Sequence, residues 1–218
     1  MALTRDDIVL FQGDSITDCG RVRDRDQASE TEKMGRGYAM LAGAGLRAEL
    51  PGITVLNRGI GGNRIGDLRD RWDADCLKLK PTVVSILVGV NDTWHGVAKG
   101  TPENGTDLET FDREYRALLE RTRAALPGVK LVIGEPFTLE CGVVLEMDFH
   151  PDIDERANLV RIIAQEFADA YVEYPAVFGR ALERHADPSY WAGDGVHPSL
   201  AGHRVMAEAW REAVGEMN

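Results

Sequence analysis

The sequence predicts an α/β fold, a parallel sheet of about five strands held between two helical layers in a three-layer α/β/α sandwich. Three observations carry this. Short apolar runs at 8–12, 54–57, 83–88, 130–134 and 170–173 alternate with longer segments of helical period. The run Val83-Val84-Ser85-Ile86-Leu87-Val88 is almost wholly apolar, as a central strand covered on both faces requires. No internal repeat, low-complexity tract or linker-like stretch interrupts the alternation, so residues 1–218 read as one domain.

The helical segments are legible from their spacing. Over 107–126, Leu108, Phe111, Tyr115, Leu118, Leu119 and Thr122 recur every three or four residues, and Pro127-Gly128 ends the run. Ile153, Ala157, Val160, Ala164 and Phe167 mark a second amphipathic helix. A last helix is predicted to start at Pro198 and to turn Val205, Met206, Ala209 and Trp210 inward. Crossovers between parallel strands are right-handed, and ligands of such sheets bind beyond the carboxyl ends of the strands.

Composition narrows the partners. A net charge of −11 repels nucleic acid and anionic membrane surfaces. No apolar run approaches the roughly 20 residues of a membrane span. The first residues, Met-Ala-Leu-Thr-Arg-Asp-Asp, are too charged for a signal peptide. Cys19, Cys76 and Cys141 are odd in number and lack metal-ligand spacing, which fits free thiols in a reducing compartment. The expectation is a cytoplasmic protein with a small-molecule partner, for which a neutral ester is the easiest fit.

Four segments carry the chemistry. Gly13-Asp14-Ser15-Ile16-Thr17 places a hydroxyl after the first strand, although Gly-Asp-Ser alone is as readily a helix cap. It is not a Gly-x-Ser-x-Gly elbow, because Thr17 stands at the final glycine position. Asp194-Gly195-Val196-His197-Pro198 sets an Asp and a His three residues apart, so that the carboxylate can reach Nδ1 and leave Nε2 to take a serine proton. The competing reading is an Asx-type turn ahead of a helix. Gly59-Ile60-Gly61-Gly62-Asn63 and Gly89-Val90-Asn91-Asp92 offer a backbone N–H at Gly62 and a carboxamide at Asn91, donors suited to an oxyanion. Either could instead be a plain turn or cap. A phosphate loop is disfavoured because no Gly-Lys-Ser/Thr follows.

The catalytic candidates are thus Ser15, Asp194 and His197, with Gly62 and Asn91 as oxyanion donors. Asp14, Trp94 and Trp191 are the substrate-binding candidates, the tryptophans as pocket wall or sugar platform and equally as core or subunit contacts. His203 is expected to make a structural hydrogen bond, while His95, His150 and His185 are scattered. Asp14, Asp92 and Asp194 are too few for a hard-metal cage, so neither metal nor cofactor is expected.

In this order the four segments resemble the SGNH hydrolase superfamily, the GDSL esterases. The likeness spans nearly the whole chain, with Ile16 standing where the GDSL pattern has Leu. It implies a flavodoxin-like sheet and the roles just given, with Ser15 adding its own backbone N–H to the oxyanion hole. Residues 11–21, 57–63, 67–72 and 90–94 further resemble the small intracellular acetyl xylo-oligosaccharide esterases of bacteria. That resemblance implies release of acetyl groups from imported sugar fragments and a ring-like homo-oligomer. The rival readings are a lysophospholipase or acyl-thioesterase on the same triad, a non-catalytic carbohydrate-binding protein of the same fold, and a flavodoxin-type cofactor binder. Residues 95–106 are expected to form a loop beside the site.

Overall fold

A computed structural model describes residues 3–23, 28–97, 102–215 and 217. The amino-terminal part contains β1 (Ile8–Gly13), α1 (Ser15–Asp18), α2 (Glu30–Met34), α3 (Tyr38–Glu49) and β2 (Thr54–Asn57). There follow α4 (Ile65–Asp75), β3 (Val83–Leu87), α5 (Val90–Val97), α6 (Leu108–Ala125) and β4 (Lys130–Gly134). The carboxyl-terminal part contains α7 (Val143–Glu146), α8 (Asp152–Phe167), β5 (Ala170–Val172), α9 (Tyr174–Arg184), α10 (Pro188–Trp191) and α11 (Leu200–Gly215).

The five strands pair in parallel in the order β2-β1-β3-β4-β5. This is the flavodoxin-like order, and all five predicted strands are present. Strand side chains alternate between two cores, as the two-residue period of a strand dictates. Val9 and Phe11 of β1 and Val132 of β4 face one side, with Tyr38, Met206 and Trp210 from α3 and α11. Leu10, Val84, Ile86, Leu131 and Ile133 face the other, with Leu68 and Trp72 of α4, Tyr115 and Leu118 of α6, and Val160 and Ile163 of α8.

Two polar pairs cross these layers. Ser85, the one hydroxyl in the apolar run of β3, accepts a 2.8 Å bond from the Trp210 indole. Trp72 donates across to Thr122 at 2.9 Å, joining α4 to α6. Such pairing removes the cost of leaving a buried donor unsatisfied.

The helix over 107–126 has Asp107 as its cap, accepting from Thr110 N–H at 2.8 Å. The final helix corrects the sequence reading. It starts at Leu200, and Pro198 instead forms an antiparallel bridge with Ala192 that closes the 193–197 loop. Ser199 supplies the cap, its hydroxyl accepting from Gly202 N–H at 3.2 Å. The segment 95–106 is also not simply a loop: it begins inside α5, and residues 98–101 lie outside the described residues.

Candidate active site

The order in which strands are added to the sheet reverses between β1 and β3, which opens a crevice beyond their carboxyl ends. Ser15 follows β1 by two residues, the turn 58–64 follows β2, and Asn91 opens α5 just after β3. The 193–197 loop comes from the far end of the chain.

That loop is held by its own backbone. Asp194 Oδ1 accepts from the N–H groups of Val196 and His197 at 2.9 and 2.6 Å, and Val143 N–H donates to the Asp194 carbonyl at 3.0 Å. Gly195 lies at φ +85°, and a β-carbon there would stand 2.4 Å from the Cys141 carbonyl oxygen. Only glycine fits this turn. The other Asp194 oxygen, Oδ2, lies 2.6 Å from His197 Nδ1. His197 Nε2 in turn lies 2.8 Å from Ser15 Oγ. The structure therefore joins all three predicted residues in one hydrogen-bonded chain. Partial burial tends to raise the Asp194 carboxyl, but bonds from the His197 ring and from two backbone N–H groups outweigh it and hold Asp194 below the usual carboxylate range. An anionic Asp194 fixes the His197 tautomer with Nδ1–H toward itself and Nε2 free to accept from the serine.

The remaining donors gather nearby. Gly62 has φ +81°, a conformation that favours glycine, and a β-carbon on it would meet nothing within 4 Å. Asn91 is buried, and its carboxamide donates to the Asn63 carbonyl at 3.3 Å. A carboxamide has two N–H hydrogens, which leaves one for a ligand. Asp92 accepts from Ile65 N–H and ties the same turn to the end of β3. Burial pushes Asp92 up to about 6.

The three substrate-binding candidates part ways. Trp94 packs against the His197 ring at 5.8 Å and against Phe149 at 5.7 Å, beside the site. Asp14 is only 1% exposed, and its carboxylate caps α1 by accepting from Ile16 N–H at 3.0 Å. Burial pushes it up to about 7, against the pull of that bond and of the His197 charge. Trp191 is buried with its indole N–H on the His185 carbonyl at 2.9 Å. Asp14 and Trp191 are both packed within the fold, Asp14 through its bond from Ile16 N–H and Trp191 through its bond to the His185 carbonyl.

His203 is structural, as expected. Its Nδ1 accepts from Tyr38 N–H at 3.1 Å, which puts its proton on Nε2, 3.3 Å from Cys19 Sγ. Among the described residues no group of three or more His, Cys, Asp or Glu is placed to hold a metal ion. All three cysteines are free.

Sequence reasoning missed the supports beneath the site. Asn57 accepts from Gly59 N–H and donates to the carbonyls of Thr17 and Met34. Arg71 reaches Asn63 Oδ1, Gln12 Oε1 and the Arg58 carbonyl. Asp18 accepts from Gly61 N–H. The one signal in the sequence was Asp18 at three residues past Ser15, a spacing that puts both on one helix face.

A sequence profile of the GDSL-like lipase/acylhydrolase family matches residues 11–205, from β1 to the first turns of α11. The chain belongs to that family. As a GDSL-like acylhydrolase it is a carboxylic ester hydrolase, and its fold is that of its relatives. It is 36% identical over 211 residues to the acetylxylan esterase of Geobacillus stearothermophilus, covering 95% of this chain and 93% of that one. The crystal structure of that esterase superposes with a TM-score of 0.86 at 34% identity over 99% of this chain and 97% of the other. Two further structures of it are catalytic mutants, one at an Asp and one at a His three positions later. A GDSL-like lipase structure from Parabacteroides merdae is 40% identical with a TM-score of 0.89, covering 98% and 97% of the two chains. No helix among the described residues of this GDSL-like hydrolase is long and apolar enough to cross a membrane.

Proposed function

We propose that this GDSL-family esterase is a cytoplasmic serine esterase that removes short acyl groups, O-acetyl groups on xylo-oligosaccharides or related sugars, through an acyl-enzyme. The observation that carries the reading is the continuous hydrogen-bonded chain from Ser15 Oγ through His197 to Asp194. The Asp-His spacing of the catalytic mutants made in the acetylxylan esterase supports it, being the spacing of Asp194 and His197. The sugar acetyl substrate is supported by the names of that relative, acetylxylan esterase and acetyl-xylooligosaccharide esterase.

In this reading His197 Nε2 takes the Ser15 proton as Oγ bonds to the ester carbonyl carbon. Negative charge moves to the carbonyl oxygen, where the N–H groups of Ser15 and Gly62 and the Asn91 carboxamide receive it. Asp194 stabilises the imidazolium that forms. The C–O bond to the alcohol breaks, and the alcohol leaves with the proton from His197. Water then attacks the acyl-enzyme, gives its proton to His197, and frees the acid and Ser15. No cofactor enters this sequence. Trp94, against the His197 ring, forms a wall of the substrate pocket.

The same reading has one domain over 1–218, assembled as a homo-oligomer. Light scattering of the purified protein tests the assembly. The decisive experiment for function is acetate release from acetylated xylo-oligosaccharides by wild type and by Ser15→Ala. Rapid release by the wild type alone is expected. Serine-dependent hydrolysis of a small aryl acetate without release from sugars would discard the sugar substrate. Hydrolysis that survives in Ser15→Ala would overturn the serine mechanism.

A further inference from the structure

An oxyanion hole made of backbone amides works only if the segments carrying those amides are held at a fixed separation. Donors must stand about 3 Å from the developing charge, and a misplacement of the order of 1 Å can cost about 100-fold in rate. Here two of the three proposed donors are backbone N–H groups on segments far apart in sequence. Ser15 opens α1, and Gly62 lies in the turn after β2. Nothing covalent holds one to the other.

Ile60 N–H on the Gly13 carbonyl and Arg21 on the Gly59 carbonyl bring the turn up to β1 and α1, and the carboxylate of Asp18 holds the residue next to Gly62 itself. It is buried at 4% exposure on the last residue of α1, and its Oδ2 accepts from Gly61 N–H at 3.0 Å. Its Oδ1 accepts from Arg21 N–H at 3.1 Å, and the Arg23 guanidinium pairs with Oδ2 from the outer side. Bonds to an ionised acceptor are shorter and stronger than neutral ones. Gly61 immediately precedes Gly62, whose own surroundings are open. On the other side of Gly62, Asn63 is held through its carbonyl by Asn91 and through its side chain by Arg71. The direction of the Gly62 N–H is therefore set by its two neighbours, and the anchor of the first is Asp18.

Resting on the oxyanion hole of the proposed function, we infer that Asp18 is a positioning residue of that hole, holding Gly62 N–H in register with Ser15 N–H through its bond to Gly61. The sign of its charge separates this role from an electrostatic one. Removing the carboxylate leaves Arg23 unneutralised, and on charge alone that would favour a nearby oxyanion and raise the rate. Loss of position lowers it.

The test is steady-state hydrolysis of a small aryl acetate, with inhibition by an alkyl boronic acid that forms a tetrahedral adduct on the serine. Asp18→Ala is expected to lower kcat roughly 10- to 100-fold with KM little changed, and to weaken boronate inhibition in parallel. Asp18→Asn keeps an oxygen acceptor for Gly61 N–H and is expected to restore most of kcat. Should Asp18→Ala lack a cooperative melt, Asp18→Glu, with its charge kept and its acceptor displaced by one methylene, is expected to show the same fall in kcat. Wild-type kcat in the folded Ala or Glu variant overturns the inference, as does an Asn variant no better than Ala or a change in KM alone. A wild type without serine-dependent hydrolysis overturns the proposed function instead.

Discussion

His197 Nε2 stands 2.8 Å from Ser15 Oγ although 182 residues separate the two in sequence. One partner is placed by the carboxyl end of β1, the other by a loop closed by the Ala192–Pro198 bridge. The contact depends on the orientation of the His197 ring, which Asp194 sets.

Asp194→Asn should therefore leave the loop folded while destroying the tautomer. Its side-chain oxygen can still accept from the N–H groups of Val196 and His197, but it no longer offers an anion to Nδ1. A fall in kcat of about 10⁴ is expected on a small aryl acetate. A loss smaller than about tenfold would remove Asp194 from the triad.

Asn91→Ala tests the side-chain donor of the proposed oxyanion hole. A fall of about 100- to 1,000-fold in kcat with KM nearly constant is expected, because the interaction strengthens only as charge develops. A rise in KM at unchanged kcat would show that Asn91 binds the ground state.

The buried imidazole of His203 ties stability to pH. Burial, and secondarily the charge of His197, push it down to about 4 from an ordinary value near 6.5. Between those two values the unfolded chain binds the proton more readily than the folded one. This group's contribution to stability is thus present above about 6.5 and lost as pH falls through about 4, on the order of 3 kcal/mol in all. Urea titrations of wild type and His203→Gln over that range check it: the wild-type slope should be steeper, and equal slopes would refute the assignment.

Trp210 is the test of packing. It is fully buried against Phe11, with ring centroids 4.8 Å apart, and bonded to Ser85. Trp210→Ala should cost about 3–5 kcal/mol, seen as a lower urea midpoint at unchanged slope.

The five strands and the helices over 107–126 and 153–167 were legible in the sequence because burial is periodic along each element, and period is a property of neighbouring residues. The boundary at Pro198 was misread. Proline is suited both to a first helical turn and to an extended bridge, and only its pairing with Ala192 decides between them. The cap that Asp14 makes on α1 was likewise illegible, because only the fold shows Ile16 N–H against its carboxylate.

The sequence by itself determined the fold class and the residue types of the candidate site, since strand and helix periods, a Ser after β1 and an Asp-x-x-His pair are local patterns. Tertiary structure alone decided which of those residues meet and what holds them. The Ser15–His197 contact, the burial of Trp191, and the clamp of Asp18 on Gly61 join segments whose separation in sequence bears no relation to their distance in space. Hydrogen bonds between such segments exist only once the sheet has brought the ends of its strands together.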